Sequence, residues 1–187
     1  RGLFVNIIPT KLAGVVVIET TKFVDPRGAF ARLYCDSELA QVIGQRRISQ
    51  INISLTHQIG ALRGLHFQHK PHAEMKLVRC LQGRVWDVVV DLREGSPTFL
   101  QWHAEELSQA NARMLVIPEG CAHGFQVLEE NSEMLYLHTG FYTPSADGRV
   151  RYNDPLIQIE WPLPVTEISI PDRDQTSLPS KYSGVPL

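Results

Sequence analysis

The sequence predicts an all-β protein, a sandwich or barrel of antiparallel strands, and three observations carry that expectation. Apolar residues recur in short runs with a two-residue period, turn residues punctuate them roughly every ten residues, and helical periodicity is nearly absent. The runs are Val15–Glu19, Ala29–Tyr34, Gln50–Leu55, Ala61–Gln68, Met75–Leu81, Arg84–Leu92, Gln101–Leu107, Met114–Ile117, Gly124–Val127 and Ser132–His138. Turn chemistry separates them at Asp25-Pro26-Arg27-Gly28, Gln82-Gly83, Glu94-Gly95-Ser96-Pro97, Ser108 to Asn111, Pro118-Glu119-Gly120 and Glu129 to Asn131, where Gly, Pro, Asn and Asp favour the backbone angles of tight turns. One helix is expected, Asp36–Val42, with Asp36 or Ser37 as its cap. From Thr143 onward prolines accumulate at Pro144, Pro155, Pro162, Pro164, Pro171, Pro179 and Pro186, which predicts a wrapping tail with short helical turns. No linker precedes that tail, so residues 1–187 read as a single domain.

Composition narrows the function. The 187 residues are 43% apolar, enough for one core. Eighteen basic against twenty acidic residues leave a formal charge of −2 with no like-charge block, which argues against nucleic acid or an anionic membrane surface as partner. Cys35, Cys80 and Cys121 are odd in number and lack metal-ligand spacing, as suits a reducing cytoplasmic setting. No apolar run is long enough to span a bilayer, and the N-terminus lacks the layout of a signal peptide, so a soluble intracellular protein is expected.

Dinucleotide, P-loop and α/β-hydrolase signatures are missing, and the chemistry-bearing residues lie elsewhere. Leu62-Arg63-Gly64-Leu65-His66-Phe67-Gln68 puts two ionisable side chains in a strand-forming run; by itself, His66 is as readily a satisfied strand histidine as a functional one. In Met75-Lys76-Leu77-Val78-Arg79-Cys80, Lys76 shares a face with Val78 and Cys80, so it is either a solvated edge residue or a buried cation with a role. Pro118-Glu119-Gly120-Cys121-Ala122-His123-Gly124-Phe125 forms a Pro-x-Gly-x-x-His turn, and Met134-Leu135-Tyr136-Leu137-His138 alternates a phenol and an imidazole on one face.

The Pro-x-Gly-x-x-His turn resembles the second motif of the cupin barrels, which makes a cupin jelly roll the expected architecture. Metal-dependent cupins carry two histidines one residue apart, then a glutamate. Here that place reads His66-Phe67-Gln68 with Lys76 downstream, so no metal is expected, although His66, His72 and His123 are left as residues that a fold might bring together.

Several ordered motifs together resemble the dTDP-4-dehydrorhamnose 3,5-epimerase family: residues 62–68, Lys76-Leu77-Val78-Arg79, Asp87 to Arg93 with Gly95-Ser96-Pro97-Thr98-Phe99, Ile117 to Gly120 with Ala122 to Phe125, and Asn153-Asp154-Pro155 with Trp161-Pro162. The similarity runs from about Phe23 to Arg173. It implies a cofactor-free, homodimeric cupin that inverts carbons beside the 4-keto group of a nucleotide-linked 6-deoxy sugar, with the strand-forming N-terminus pairing across the interface. Such inversion needs a base on one face, an acid on the other, and a cation for the enolate between. The resemblance implies His66 as base, Asp172 as its carboxylate partner with Asp174 as the alternative, Lys76 as the enolate cation and Tyr136 as acid, the last favouring protonation at C5. It implies Arg63 at the diphosphate, with Gly64 supplying the twist its parity requires, Phe23, Arg27, Gln50, Asn52 and Tyr142 on the nucleotide side, and His123 in the sugar pocket. Asp87 and Asp91 are left between function and barrel structure.

Two departures bear on the substrate. Arg32 stands where the family usually has a glutamate able to accept from thymine N–H; an arginine only donates, so a CDP-linked sugar is expected as a candidate beside a dTDP-linked one, unless Arg32 pairs with a phosphate or a local carboxylate. The loop Thr56-His57-Gln58-Ile59 lacks the family's basic residues, leaving His57 as a possible phosphate contact. Two other classes remain open at this level. One is a 3,4-ketoisomerase on the same barrel, which needs a second histidine such as His72 or His138 near the base; the other is a non-catalytic sugar-nucleotide binding module.

Overall fold

The computed structural model describes residues 5–187. Thirteen strands are described: β1 (Val5–Pro9), β2 (Val16–Thr20), β3 (Lys22–Asp25), β4 (Gly28–Ala31), β5 (Gln50–Thr56), β6 (Leu62–Gln68), β7 (Lys76–Gln82), β8 (Arg84–Asp91), β9 (Trp102–Ser108), β10 (Arg113–Ile117), β11 (Cys121–Val127), β12 (Ser132–His138) and β13 (Asp147–Arg149). They form a six-stranded sheet in the order β1-β2-β10-β7-β12-β5, a five-stranded sheet β13-β6-β11-β8-β9, and the separate hairpin β3-β4. All named pairings are antiparallel. This is the jelly-roll layout expected of a cupin.

The two-residue period sorts side chains onto faces. Val17, Val78, Cys80, Leu115 and Ile117 from the six-stranded sheet meet Val85, Val89, Leu107, Phe125 and Val127 from the other, forming the inner core. Between them in sequence, Leu77, Met114, Val116 and Leu137 point the opposite way and are covered by Leu39, Ile43 and Met75. The outer face of the five-stranded sheet, with Leu65, Phe67, Val88 and Val90, is covered by Val150, Ile157, Trp161, Leu178, Tyr182 and Val185 of the tail. The tail therefore wraps as expected, and buried polar contacts pin it. Gln126 donates to Leu163 O at 2.9 Å and accepts from Leu163 N at 3.1 Å, while Asp154 accepts from Leu178 N at 2.6 Å.

Several local expectations shift. The helix is only α1 (Ala40–Ile43), with Leu39 at its N-cap and no side-chain cap. Asp36 instead accepts from the Tyr34 hydroxyl at 2.5 Å, which stabilises a turn before the helix. The strand expected over Ala29–Tyr34 ends at Ala31, while β11 begins at Cys121 rather than Gly124 because Cys121 is paired with Asp91. The N-terminal strand β1 pairs with β2 and stands at the edge of the six-stranded sheet, which leaves its outer edge open to a second copy. In the tail, α2 (Ile170–Arg173) follows a parallel bridge between Leu62 and Ile168, and Leu62 N donates to Glu167 O at 2.9 Å, so the tail crosses the barrel beside β6.

Candidate active site

A cavity of about 720 Å³ opens between the sheets, lined from β5, β6, β7, β11, β12 and the tail. Its first wall belongs to β6. There His123 of β11 pairs with His66 and Phe125 with Arg63, so three steps along β6 match two along β11. A spacing of three would send Arg63 and His66 to opposite faces of a regular strand; the extra residue turns both into the cavity. Gly64 makes this possible at φ 118°, because a Cβ there would sit 2.7 Å from Gly124 Cα and His123 O. The twist expected of Gly64 is thus a β-bulge.

His66 Nε2 donates to Asp172 Oδ1 at 2.7 Å, leaving Nδ1 as the lone-pair nitrogen. Asp172, not Asp174, is the partner. Its side chain is 4% exposed, and it also accepts from Arg149 Nη1 at 2.9 Å and from the Ser169 hydroxyl. Burial acts to raise its pKa, but the hydrogen bonds from His66 and Ser169 and the neighbouring charges outweigh it and hold the carboxyl below its usual range. An ionised Asp172 fixes the imidazole's tautomer and compensates a positive charge formed on it.

Lys76 is 7% exposed, which decides for the buried cation. Its Nζ donates to His66 O at 3.4 Å. Burial lowers its pKa, opposed by the charges of Glu74, Asp87 and Asp147. Beneath it, His123 Nε2 lies 2.9 Å from both Asp87 oxygens, with both side chains buried. Burial raises the Asp87 pKa and lowers that of His123. Asp87 is therefore the buried partner of His123 and does not itself line the cavity. Asp91 is a turn residue: it accepts from Arg93, Ser96 and Thr98 in the β8-β9 turn.

From the six-stranded sheet, the Tyr136 hydroxyl pairs with Ser54 Oγ at 2.9 Å, and burial pushes its pKa up to about 12, so the phenol keeps its proton. Arg63 Nε donates to Thr56 Oγ1 at 2.8 Å at the other end of the cavity. Gln50, Asn52 and Tyr142 complete the lining, with Tyr142 58% exposed at the mouth. His57 also lines the mouth, where its Nδ1 pairs with Asn131 Oδ1 at 2.8 Å.

Three expected binding residues lie elsewhere. Phe23 and Arg27 sit on the exposed β3-β4 hairpin, where Arg27 pairs with Asp25 at 2.6 Å, and neither lines the cavity of its own chain. Arg32 pairs with Glu38 at 2.7 Å, the local carboxylate, and is likewise outside the cavity. Among the described residues no three His, Cys, Asp or Glu side chains are grouped to hold a metal, so His66, His72 and His123 do not form such a set.

Sequence reasoning passed over Ser54, Glu74, Arg149 and Ser169. Ser54 was accessible in principle, two residues beyond Asn52 on the same face of a strand. Arg149 and Ser169 were not, because the tail has no period from which to read a facing direction.

The model of the family described as dTDP-4-dehydrorhamnose 3,5-epimerase matches residues 9–180. The chain belongs to this family. Among its relatives, the dTDP-4-dehydrorhamnose 3,5-epimerase of Salmonella typhimurium is 45% identical over 158 residues, covering 84% of this chain and 86% of that protein. A solved 4-keto-6-deoxy sugar epimerase from the novobiocin biosynthetic gene cluster of Streptomyces spheroides superposes with a TM-score of 0.89 at 35% identity, covering 95% of this chain and 89% of its own. The Legionella pneumophila epimerase solved with dTDP-4-keto-L-rhamnose gives a TM-score of 0.81 at 37% identity, covering 98% and 92%. Of the residues to which the resemblance gave roles, Arg63, His66, Lys76, His123, Tyr136 and Asp172 converge on the cavity, with Gln50, Asn52 and Tyr142.

Proposed function

We propose that this protein inverts C3 and C5 of a dTDP-linked 4-keto-6-deoxyhexose without a cofactor. The observation that carries the reading is the His66–Asp172 pair on one wall of the cavity, with Lys76 and Tyr136 supplied from the facing sheet. His66 removes the proton from a carbon beside the 4-keto group, and Asp172 compensates the imidazolium that results. Lys76 stabilises the enolate oxygen, where a cation in a dry site acts most strongly. Tyr136 returns a proton from the opposite face, at C5. Arg63 takes the diphosphate, Gln50, Asn52 and Tyr142 the nucleotide side, and His123, held by Asp87, the floor of the sugar pocket.

The base is thymine in this reading. Arg32 was the reason to consider cytosine, and its bond to Glu38 supports the local-carboxylate role instead. Calorimetry with dTDP and CDP tests this: tighter binding of CDP overturns it. Residues 1–187 act as a single cupin domain, and the protein is placed in the cytoplasm, in keeping with its three free cysteines. No described helix is long and apolar enough to cross a membrane.

The working form is a homodimer. Phe23, Val24 and Phe30 are 48%, 75% and 65% exposed on the hairpin, and Ile51, Ile53 and Leu55 form a second apolar row on edge strand β5. A second copy covers these rows and gives Phe23 and Arg27 a cavity to reach; a monomer by light scattering overturns this.

Turnover of dTDP-4-keto-6-deoxyglucose in D₂O, followed by NMR, tests the activity. Inversion with deuterium at C3 and C5 is expected. No exchange at either carbon, with the dTDP- or the CDP-linked sugar, overturns the epimerase reading.

A further inference from the structure

Inverting two carbons on either side of one carbonyl calls for two proton deliveries on the face opposite the base, and Tyr136 accounts for one. His138 is placed for the other. It lies two residues beyond Tyr136 on β12 and lines the same cavity, with the two rings stacked at 6.1 Å between centroids and 17° between planes. In register it is opposite Lys76 on β7 and Gln50 on β5. Ser54, Asn52 and Gln50 on the same wall carry only hydroxyl and amide groups, which do not deliver protons near neutral pH. Lys76 is committed to the enolate.

The ring is held as a working imidazole is held. Its Nδ1 lies 3.0 Å from Glu74 Oε1, with the two side chains 15% and 8% exposed. Glu74 Oε2 accepts from Gly140 N at 3.3 Å, and Thr139 Oγ1 accepts from Met75 N at 2.9 Å, so the corner between β12 and β7 is tied on both strands. Nε2 faces the cavity, where the Asn52 amide Nδ2 donates to it at 3.3 Å, so protonation of Nε2 turns the Asn52 amide to present Oδ1 instead. An imidazole–carboxylate pair on the six-stranded sheet thus stands across the cavity from the His66–Asp172 pair on the five-stranded one.

We propose that His138, oriented by Glu74, is the proton donor at C3. The inference rests on the epimerase reading above. After His66 takes the C3 proton, the enolate carries the negative charge on its oxygen beside Lys76. The Nε2–H of protonated His138 gives its proton to C3 from the opposite face, the enolate electron pair forms the new C–H bond, and the 4-keto group returns. His138 is left neutral and regains a proton from solvent, to which His66 loses the one it took, so no net proton is consumed. Glu74 is a positioning residue that touches no reacting atom.

The test follows C3 and C5 separately in D₂O with dTDP-4-keto-6-deoxyglucose, comparing wild type with His138→Gln, Glu74→Gln and Tyr136→Phe. In His138→Gln the rate of inversion at C3 relative to C5 is expected to fall at least tenfold, with deuterium now entering C3 in retained configuration because His66 both removes and returns it. Glu74→Gln, which keeps the shape and loses the charge, shifts the ratio the same way by a smaller factor, and Tyr136→Phe shifts it oppositely. Circular dichroism and dTDP calorimetry check that each variant folds and binds. A pair that only closes the end of the cavity slows both carbons equally or neither; either result overturns the proposal, as does a wild type that inverts C5 alone. A wild type that labels neither carbon instead overturns the epimerase reading itself.

Discussion

His66 and Asp172 are 106 residues apart in the chain and 2.7 Å apart in the cavity. The tail closes that distance by pairing Ile168 with Leu62, four residues before His66 on the same strand. The carboxylate is therefore delivered by the segment that also covers the sheet, and Arg149 and Ser169 hold it there.

Asp172→Asn is expected to lower kcat by about 10²–10⁴-fold with little change in dTDP affinity, since the amide neither fixes the needed tautomer nor compensates the imidazolium. Steady-state kinetics with calorimetry on the same variant check it. A loss confined to KM places Asp172 in binding instead.

Two buried groups on the six-stranded sheet predict the alkaline limb of the pH profile. Burial lowers the Lys76 pKa from the usual 10.5, whereas Tyr136 is pushed up to about 12. On raising the pH, Lys76 therefore loses its charge before Tyr136, and inversion at C5, which does not draw on His138, falls through an ionisation below 10.5. Tyr136→Phe is expected to reduce the rate and leave the position of that limb unchanged.

Gly64→Ala is expected to destabilise the fold by on the order of 3 kcal/mol, because it adds a Cβ against backbone at a positive φ. The bulge relaxes or the strand slips, and Arg63 and His66 no longer share the cavity. Urea unfolding and diphosphate binding should fall together; an unchanged midpoint contradicts the role given to the bulge.

Asp91 contributes to stability rather than to chemistry. Burial acts to raise its pKa, but the bonds from Arg93, Ser96 and Thr98 prevail and bring it to about 2. A carboxyl depressed in the folded state contributes its stability above its unfolded pKa, near 3.8, and loses it as pH falls toward 2. Asp91→Asn is expected to cost about 2 kcal/mol at neutral pH and to flatten the dependence of Tm on pH between about 4 and 2. Activity per folded molecule should not change.

The sequence by itself determined the strand period and which side chains share a face, Lys76 with Val78 and Cys80 and Tyr136 with His138, because a β-strand writes its facing direction directly into residue parity. It also held the motifs that mark the epimerase family. Tertiary structure alone decided the rest. It chose Asp172 over Asp174, set Asp87 against His123 and Asp91 in a turn, paired Arg32 with Glu38, and set Glu74 against His138. Each of these is a contact between segments distant in sequence or lying in turns and tail, where no period constrains direction and only the packing of the two sheets and the wrapping chain brings the charges together.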